Sequence, residues 1–300
     1  MHLSVVVPTL NGREQLGRAL DALAEDAPDA EVVVVNGPSS DGTTGMVRER
    51  EDVDVLVEIS ERNLNVARNA GAQVASGDVV AFLRYDLVVE AGWADAIETA
   101  IEGGSDVVTG PTHRSVRAGV TTEARETWTV GGREVTFVNG DNGAFTRAAL
   151  EAVDGFDEYL ETGGSRDVSH RVAANDFEVA WDAGVCVRGE VHADGGRAPA
   201  DWGSKYRSLA YRLSKNYGVR PSPVYHTAKT AIVDGARALR DVVGGASTPS
   251  VWLENGKRVF SGIAVGTKDG LAARKRAAAG SQNPNGLSSR ADRAVTKYEQ

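Results

Sequence analysis

The chain reads as an α/β protein with a mostly parallel sheet and helices on both faces. Three observations predict this. Four short apolar runs, LSVVVP, EVVVV, VDVLVEI and VVAFL, recur in the first 83 residues without strict polar alternation, as in strands buried on both faces. The stretches between them carry apolar residues at helical spacing. Each run closes on polar or turn-forming residues, at the strand ends where such sheets gather ligand-binding groups.

Leu3 to Pro8 forms the first strand, closed by Pro8, Thr9 and Asn11. Leu16, Leu20 and Leu23 lay an apolar stripe along a helix from Arg13 to Ala24. Glu31 to Val35 is the second strand and ends in the turn-rich NGPSSDGTT. A short helix to about Arg50 and a third strand from Val53 to Ile59 follow. In NLNVARNAGAQVASGDVVAFLRYD, Asn63 or Asn65 caps a helix whose Val66, Ala70 and Val74 share one face. Gly77 suits a left-handed position beyond it, and VVAFL is a strand that stops at Arg84, Tyr85 and Asp86. A helix from about Trp93 to Ile101 and a strand from Asp106 to Gly110 keep the rhythm.

After Gly110 the rhythm fails. Residues 111–138 read as irregular chain with a hairpin, TWTV-GG-REVTFV, turning at Gly131 and Gly132. NGDNGAF leads into a helix from Arg147 to Val153, then a Gly-rich loop, a helix from about Asp167 to Ala174 and a strand near Val185. The predicted domains are a compact unit over 1–195, with halves 1–110 and 111–195, and a helical extension over 196–243. The extension holds amphipathic helices at roughly Asp201 to Tyr217 and Val224 to Val243. Residues 244–300, rich in Ala, Gly, Ser and Arg, are expected to be a linker and a basic, flexible tail.

Charge is distributed unevenly over the 300 residues. Residues 1–204 hold 16 Arg, no Lys and 36 acids, a formal −20, while residues 205–300 carry +11. An acidic, Lys-poor body resembles proteins of salt-loving archaea, and the basic rear suits anionic lipid headgroups or nucleic acid, with a solvated basic tail that meets no partner as the equal alternative. No apolar run reaches the roughly 18 residues of a membrane span. No secretory leader is expected before the first strand. The single cysteine, Cys186, excludes an intramolecular disulfide and a multi-cysteine zinc site, and a cytosolic setting is expected.

The first strand runs into PTLNGRE, not a G-x-G-x-x-G turn, and neither a Walker phosphate loop nor a G-x-S-x-G elbow is present. Dinucleotide, P-loop and hydrolase chemistry lose their support. What remains is a set of strand ends: Pro8, Thr9 and Asn11; Asn36, Ser40 and Asp41; and Asp86. A doubly wound sheet brings them to one crevice. Asp41 before Gly-Thr-Thr also reads as a helix cap.

In order, VVVPTLN, EVVVVNGPSSDGT, RNLNVARNAGAQVASGDVVAFLRYD, NGDNGAFTRAALEAVDGFDE and GGSRDVSHRV resemble the inverting family 2 glycosyltransferases of the GT-A nucleotide-sugar fold. The likeness covers roughly residues 3–192. It implies transfer of a sugar from a nucleotide-diphosphate donor to a hydroxyl acceptor. Base and ribose contacts are implied for Pro8, Thr9, Asn11 and Asn36, the last standing where the family has Asp, and a nucleotide contact for Arg68. The family's D-x-D cation motif reads Arg84-Tyr85-Asp86 here. Asp86 and Tyr85 are therefore expected at the donor, with Asp86 and His192 holding Mg²⁺ or Mn²⁺, or with Arg84 supplying part of that positive charge.

The resemblance makes Asp167 the expected general base, with Glu161 as fallback, because the family's acidic pair is reduced to one and Ser165 stands in it. Asp141, Asn142, Arg171 and Trp202 are expected on the acceptor side, Lys205 and Tyr206 near them. The expected partners are a nucleotide sugar, a lipid-linked saccharide and the cytoplasmic membrane face, without nucleic acid. A catalytically inactive sugar-nucleotide binder and a sugar-phosphate nucleotidyltransferase are the alternatives.

Overall fold

The computed structural model describes residues 1–116, 119–190, 201–278 and 283–299. The first part alternates strand and helix: β1 (Leu3–Thr9), α1 (Arg13–Asp26), β2 (Glu31–Asn36), α2 (Thr43–Arg48), β3 (Val55–Ile59), α3 (Leu64–Val74), β4 (Val79–Leu83), β5 (Leu87–Val89), α4 (Trp93–Glu102) and β6 (Val107–Thr109). Short strands follow: β7 (Thr112–Val116), β8 (Gly119–Thr122), the hairpin β9 (Thr127–Val130) and β10 (Arg133–Thr136), then β11 (Asn142–Thr146). Next come α5 (Arg147–Ala152), α6 (Gly164–Ala174), β12 (Val179–Trp181) and β13 (Val187–Glu190). The rear holds α7 (Trp202–Tyr217), α8 (Pro221–Val243), α9 (Pro249–Ala277) and β14 (Ala294–Glu299).

The main sheet has the order β12-β6-β11-β4-β1-β2-β3-β14. β4, β1, β2 and β3 run parallel, and β11 enters antiparallel between β4 and β6. The pleat of β1 sorts its side chains to two cores. Val5 and Val7 join Leu16, Leu20 and Trp93 on one face. Val6 joins Val66, Ala70 and Phe156 on the other. Both faces are covered, so the strands stay apolar throughout. A second sheet, β5-β13-β7-β8, grows from the strand that follows Asp86.

Two local expectations change. Ala75, not Gly77, ends α3. Gly77 is confined by close approach, since a Cβ there would meet the backbone of His2 and Ser4. Gly42, not Asp41, is the cap residue of α2; Asp41 stands one residue ahead, its carboxylate accepting from the Thr43 amide at 3.1 Å and the Arg13 amide at 3.0 Å and so tying together the starts of α2 and α1.

The expected linker and tail are corrected more fundamentally. Residues 249–277 form one long helix, and β14 pairs antiparallel with β3 at the sheet edge. Gly262, Gly266 and Gly270, four residues apart, are buried on α9, and a Cβ at any of them would run into the backbone of α7. The small residues that suggested disorder permit this close helix packing. Arg290 and Arg293 dock on Glu158, Arg290 at 2.9 Å. Among the described residues no helix is long and apolar enough to cross a membrane.

Candidate functional site

Parallel pairing puts Thr9 beside Asn36 and delivers β1, β2 and β4 to one rim of the sheet. Asn11, at φ 52°, accepts from the Ser40 amide at 2.8 Å and donates its own amide to Ser39 at 2.9 Å. These two loops are therefore stitched together. Thr9 is buried, and its hydroxyl has no partner among the described residues. Pro8 lies in β1 just before it. Tyr85 packs its ring over Gly12, and a Cβ at that glycine would collide with it.

The Asn36 side chain is enclosed at the rim. It is 1% exposed, its amide donating to Thr44 at 2.8 Å and its oxygen accepting from Ser39 at 2.7 Å. With both ends engaged it organises the loop after β2. The expected base contact through its side chain is corrected accordingly.

At the end of β4 four charges form a row: Arg68, Asp141, Arg84, Asp86. Arg68 donates to Asp141 at 2.8 Å, and Arg84 grips the other oxygen of Asp141 at 2.6 Å. Arg84 then turns its other edge on Asp86, through Nε and through a second nitrogen at 3.0 Å. Burial pulls the Arg84 guanidinium down, yet Asp86 and Asp141 outweigh it and leave it raised above its ordinary value. Burial also holds Arg68 below its ordinary value, against Asp141.

This row bears on the implied cation. Mg²⁺ or Mn²⁺ needs several free oxygens. Here both oxygens of Asp86 face Arg84, and those of Asp141 face Arg84 and Arg68. The residues present do not fit a divalent ion while Arg84 stands there. His192, the other expected ligand, lies outside the described residues. Glu90, His113 and Cys186 do bring potential ligand atoms within 4.8 Å of one another, but on the second sheet, with Glu90 also paired to Arg188 at 2.8 Å.

Asp167 is a further correction. It is fully buried, accepting from Lys215 at 2.9 Å, Asn216 at 2.9 Å and Arg171 at 3.1 Å. Burial would raise its pKa, but Lys215 and Arg171 drive it well below the usual carboxylate range. Lys215 also holds buried Asp157 at 2.5 Å, and Tyr211 donates to Asp157 at 2.8 Å. A carboxylate sealed among cations cannot reach a substrate hydroxyl.

The acceptor-side expectations divide. Asp141 reaches the rim. Asn142 is buried, accepting from the Trp93 indole at 2.9 Å and donating to the Val185 carbonyl at 2.9 Å. Arg171 spends its nitrogens on Asp167 and on the Val153 and Gly155 carbonyls. Trp202 turns instead towards an apolar cavity shared by α7, α8 and α9. Glu161 is exposed in the loop ahead of α6. His170 is buried against Tyr217 at 2.9 Å, and burial pulls its pKa down to about 3.

Two neighbouring cavities continue from the rim. One of about 340 Å³ is lined by Glu123, Glu126, Asn139, Ser165 and Arg166. Asn139 also accepts from the Asp141 amide at 3.0 Å, tying this cavity to the row of charges. The second, about 570 Å³, shares Glu126 and Arg166 and adds Trp128, Gly163, Lys205 and Arg212. Arg166 and Arg212 were not singled out in the sequence: Arg166 stands just ahead of the helix expected from Asp167, and Arg212 lies within an amphipathic pattern, with no motif marking either.

The architecture is that of the GT-A glycosyltransferases. It aligns with a Pyrobaculum calidifontis mannosyltransferase solved with GDP-Man and Mn²⁺ at a TM-score of 0.57 and 20% identity, covering 91% of this chain and 87% of that one. It also aligns with residues 1–349 of Staphylococcus aureus TarS, solved with UDP-GlcNAc, at a TM-score of 0.63 and 16% identity, covering 93% and 92%. Likeness at this identity speaks to the fold. Residues 4–152 match the family described as glycosyl transferase family 2, and the chain belongs to that family.

Among curated relatives, glycosyltransferase AglE of Haloferax volcanii is 31% identical over 116 residues, 36% of this chain and 38% of AglE. Validoxylamine A glucosyltransferase of Streptomyces hygroscopicus is 34% identical over 108 residues, 34% of this chain and 26% of that enzyme. The chain thus matches well under half the length of these relatives.

Proposed function

We propose that the chain is an inverting glycosyltransferase that moves a sugar from a nucleotide-diphosphate donor to a hydroxyl acceptor. The observation that carries the reading is the Arg68–Asp141–Arg84–Asp86 row at the rim where the family-matching strands end. The loops of Pro8, Thr9 and Asn11 receive the nucleoside, and Tyr85 closes over Gly12 beside them. Arg84, still partly exposed, meets the diphosphate and offsets the charge that builds on it as it leaves. Arg84 would thus supply positive charge without a divalent ion, whereas the Pyrobaculum calidifontis mannosyltransferase was solved with Mn²⁺. Donor binding here is accordingly expected to persist in EDTA.

With Asp167 sealed, the base falls to a carboxylate that both cavities share. Glu126 is that residue, held by Arg166 at 3.0 Å and through a second contact, and partly open to solvent. The acceptor is proposed to be a lipid-linked saccharide, such as a dolichol phosphate-linked glycan under assembly for protein N-glycosylation or surface polysaccharide. The chain would work at the cytoplasmic face of an archaeal membrane. The acidic body and the exposed Val224, Ile232, Leu239 and Phe260 of the rear helices support that setting.

A thermal-shift panel of nucleotide sugars, with Mn²⁺ or EDTA, tests the donor reading, since a ligand of the folded state raises Tm. No stabilisation by any of them would refute it. Ser165 and the sealed Asp167 also favour a second reading, a sugar-nucleotide binder without turnover. Glu126→Gln separates the two: a transferase loses about 10²-fold or more in kcat with donor affinity kept, whereas a binder has no transfer to lose.

A further inference from the structure

Among the described residues, Arg212 is a buried cation without an ion-pair partner. It is 7% exposed, and its Nε has no hydrogen-bond partner among the described residues. No carboxylate lies within ion-pairing distance of it there, although it lines the 570 Å³ cavity. The neighbouring charges are already matched. Arg166 is held by Glu126, Lys205 by Asp234 at 2.5 Å, and Asp201 accepts from the Ser204 amide at the start of α7.

A second feature faces the same space. Gly163 precedes α6 at φ 77°, no side chain caps the first amides of this 11-residue helix, and Gly163 and Arg166 at its start line the cavity. One guanidinium nitrogen of Arg212 lies close enough to Gly163 that an added Cβ would sit 3.1 Å from it. Burial pulls Arg212 down to about 10, with Arg166 adding to the effect and the more distant charges of Asp167 and Glu126 opposing it.

We infer that this cavity takes a phosphoryl group carried by the acceptor, held between the Arg212 guanidinium and the open amides of α6. A guanidinium fork and helix-start amides together match phosphate oxygens. The inference rests on the glycosyltransferase reading for the word acceptor, but the anion site stands on its own geometry. Glu126, on the same wall, then lies beside the bound acceptor.

The test uses the full chain, with Arg212→Gln and Arg84→Gln beside wild type. Thermal shift and titration calorimetry at low ionic strength are run with inorganic phosphate, a short isoprenyl phosphate, and UDP or GDP. Wild type and Arg84→Gln are expected to bind both phosphates, the isoprenyl compound at least tenfold more tightly, and Arg212→Gln to lose at least tenfold for each. Without ligand, Arg212→Gln should melt no lower than wild type, because it removes an unmatched charge.

Phosphate binding unchanged by Arg212→Gln would overturn the site. Equal affinity for the two phosphates would overturn its assignment to the acceptor. Failure of UDP and GDP to bind any of the three proteins would instead count against the donor reading, leaving the phosphate result to judge this one.

Discussion

Asp167→Asn distinguishes a structural acid from a catalytic one. Asp167 is wholly enclosed with Lys215 and Arg171, and Asn216 takes its second oxygen. Asparagine keeps the shape but removes the charge, and one of its two ends now presents a donor to donors. Lys215 retains Asp157, and Arg171 retains two carbonyls, so the loss falls at the lower end for a broken buried pair, about 3 kcal/mol. For a chain of this size that lowers Tm by about 6–12 °C.

The pH dependence has a definite sign. The folded pKa of Asp167 is depressed, so its contribution is fully present above the unfolded value of about 3.9 and is lost as pH falls towards the folded one. Melting curves by circular dichroism from pH 3 to 8 should show a gap between wild type and variant that narrows on acidification. Donor affinity below the transition should be unchanged. A variant that melts with wild type while losing all transfer would refute the structural role and return Asp167 to catalysis.

Arg84→Asp restores a D-x-D spacing with Asp86 and should make donor binding depend on Mn²⁺, read as a thermal shift by donor that EDTA abolishes; wild type should show no such dependence. Gly266→Ala drives a methyl into the Arg207 backbone and should cost about 1–3 kcal/mol in urea unfolding. Gly256→Ala, on the same helix with open space around it, should gain up to about 1 kcal/mol. His170 is buried neutral with its pKa down at about 3, so the unfolded chain binds the extra proton below about 6.5. Acidification from there should cost up to about 1.4 kcal/mol per pH unit through this residue, and His170→Phe should flatten that limb of a pH-stability profile.

The parallel sheet was legible because its strands are buried on both faces, which leaves uninterrupted Val and Leu in the sequence. The rim followed from the same runs, since each strand end names its own residues. Partners distant in sequence were not legible. Asp167 carries the local look of a helix-start acid, while Lys215, which neutralises it, comes 48 residues later. β14 reads as a polar tail until β3 supplies the edge it pairs with. The glycines of α9 suggest a linker until α7 lies against them. Asn36 misled for another reason: its neighbours Ser39 and Thr44 are close enough to consume its amide before any ligand arrives.

The row at the rim also says which end of it a donor can engage. Each inner charge, Asp141 and Arg84, has an opposite charge on both sides, whereas Arg68 and Asp86 each have one. Arg68 is nearly buried, with side-chain exposure of 5%, and cannot turn outward; Arg84 and Asp86 retain 23% and 21%. On the proposed donor reading, an arriving diphosphate would therefore compete with Asp86, not with Asp141, for the outer edge of Arg84. Arg84 can release that edge while its inner nitrogen stays on Asp141, so the cation remains fixed as its outer partner changes. On the same reading Asp86, once freed, would offer its carboxylate oxygens as acceptors for hydroxyl groups of ribose or sugar. In this chain Arg84 stands between two carboxylates at the rim, and Asp86, expected from the sequence to hold a metal, is its counter-ion.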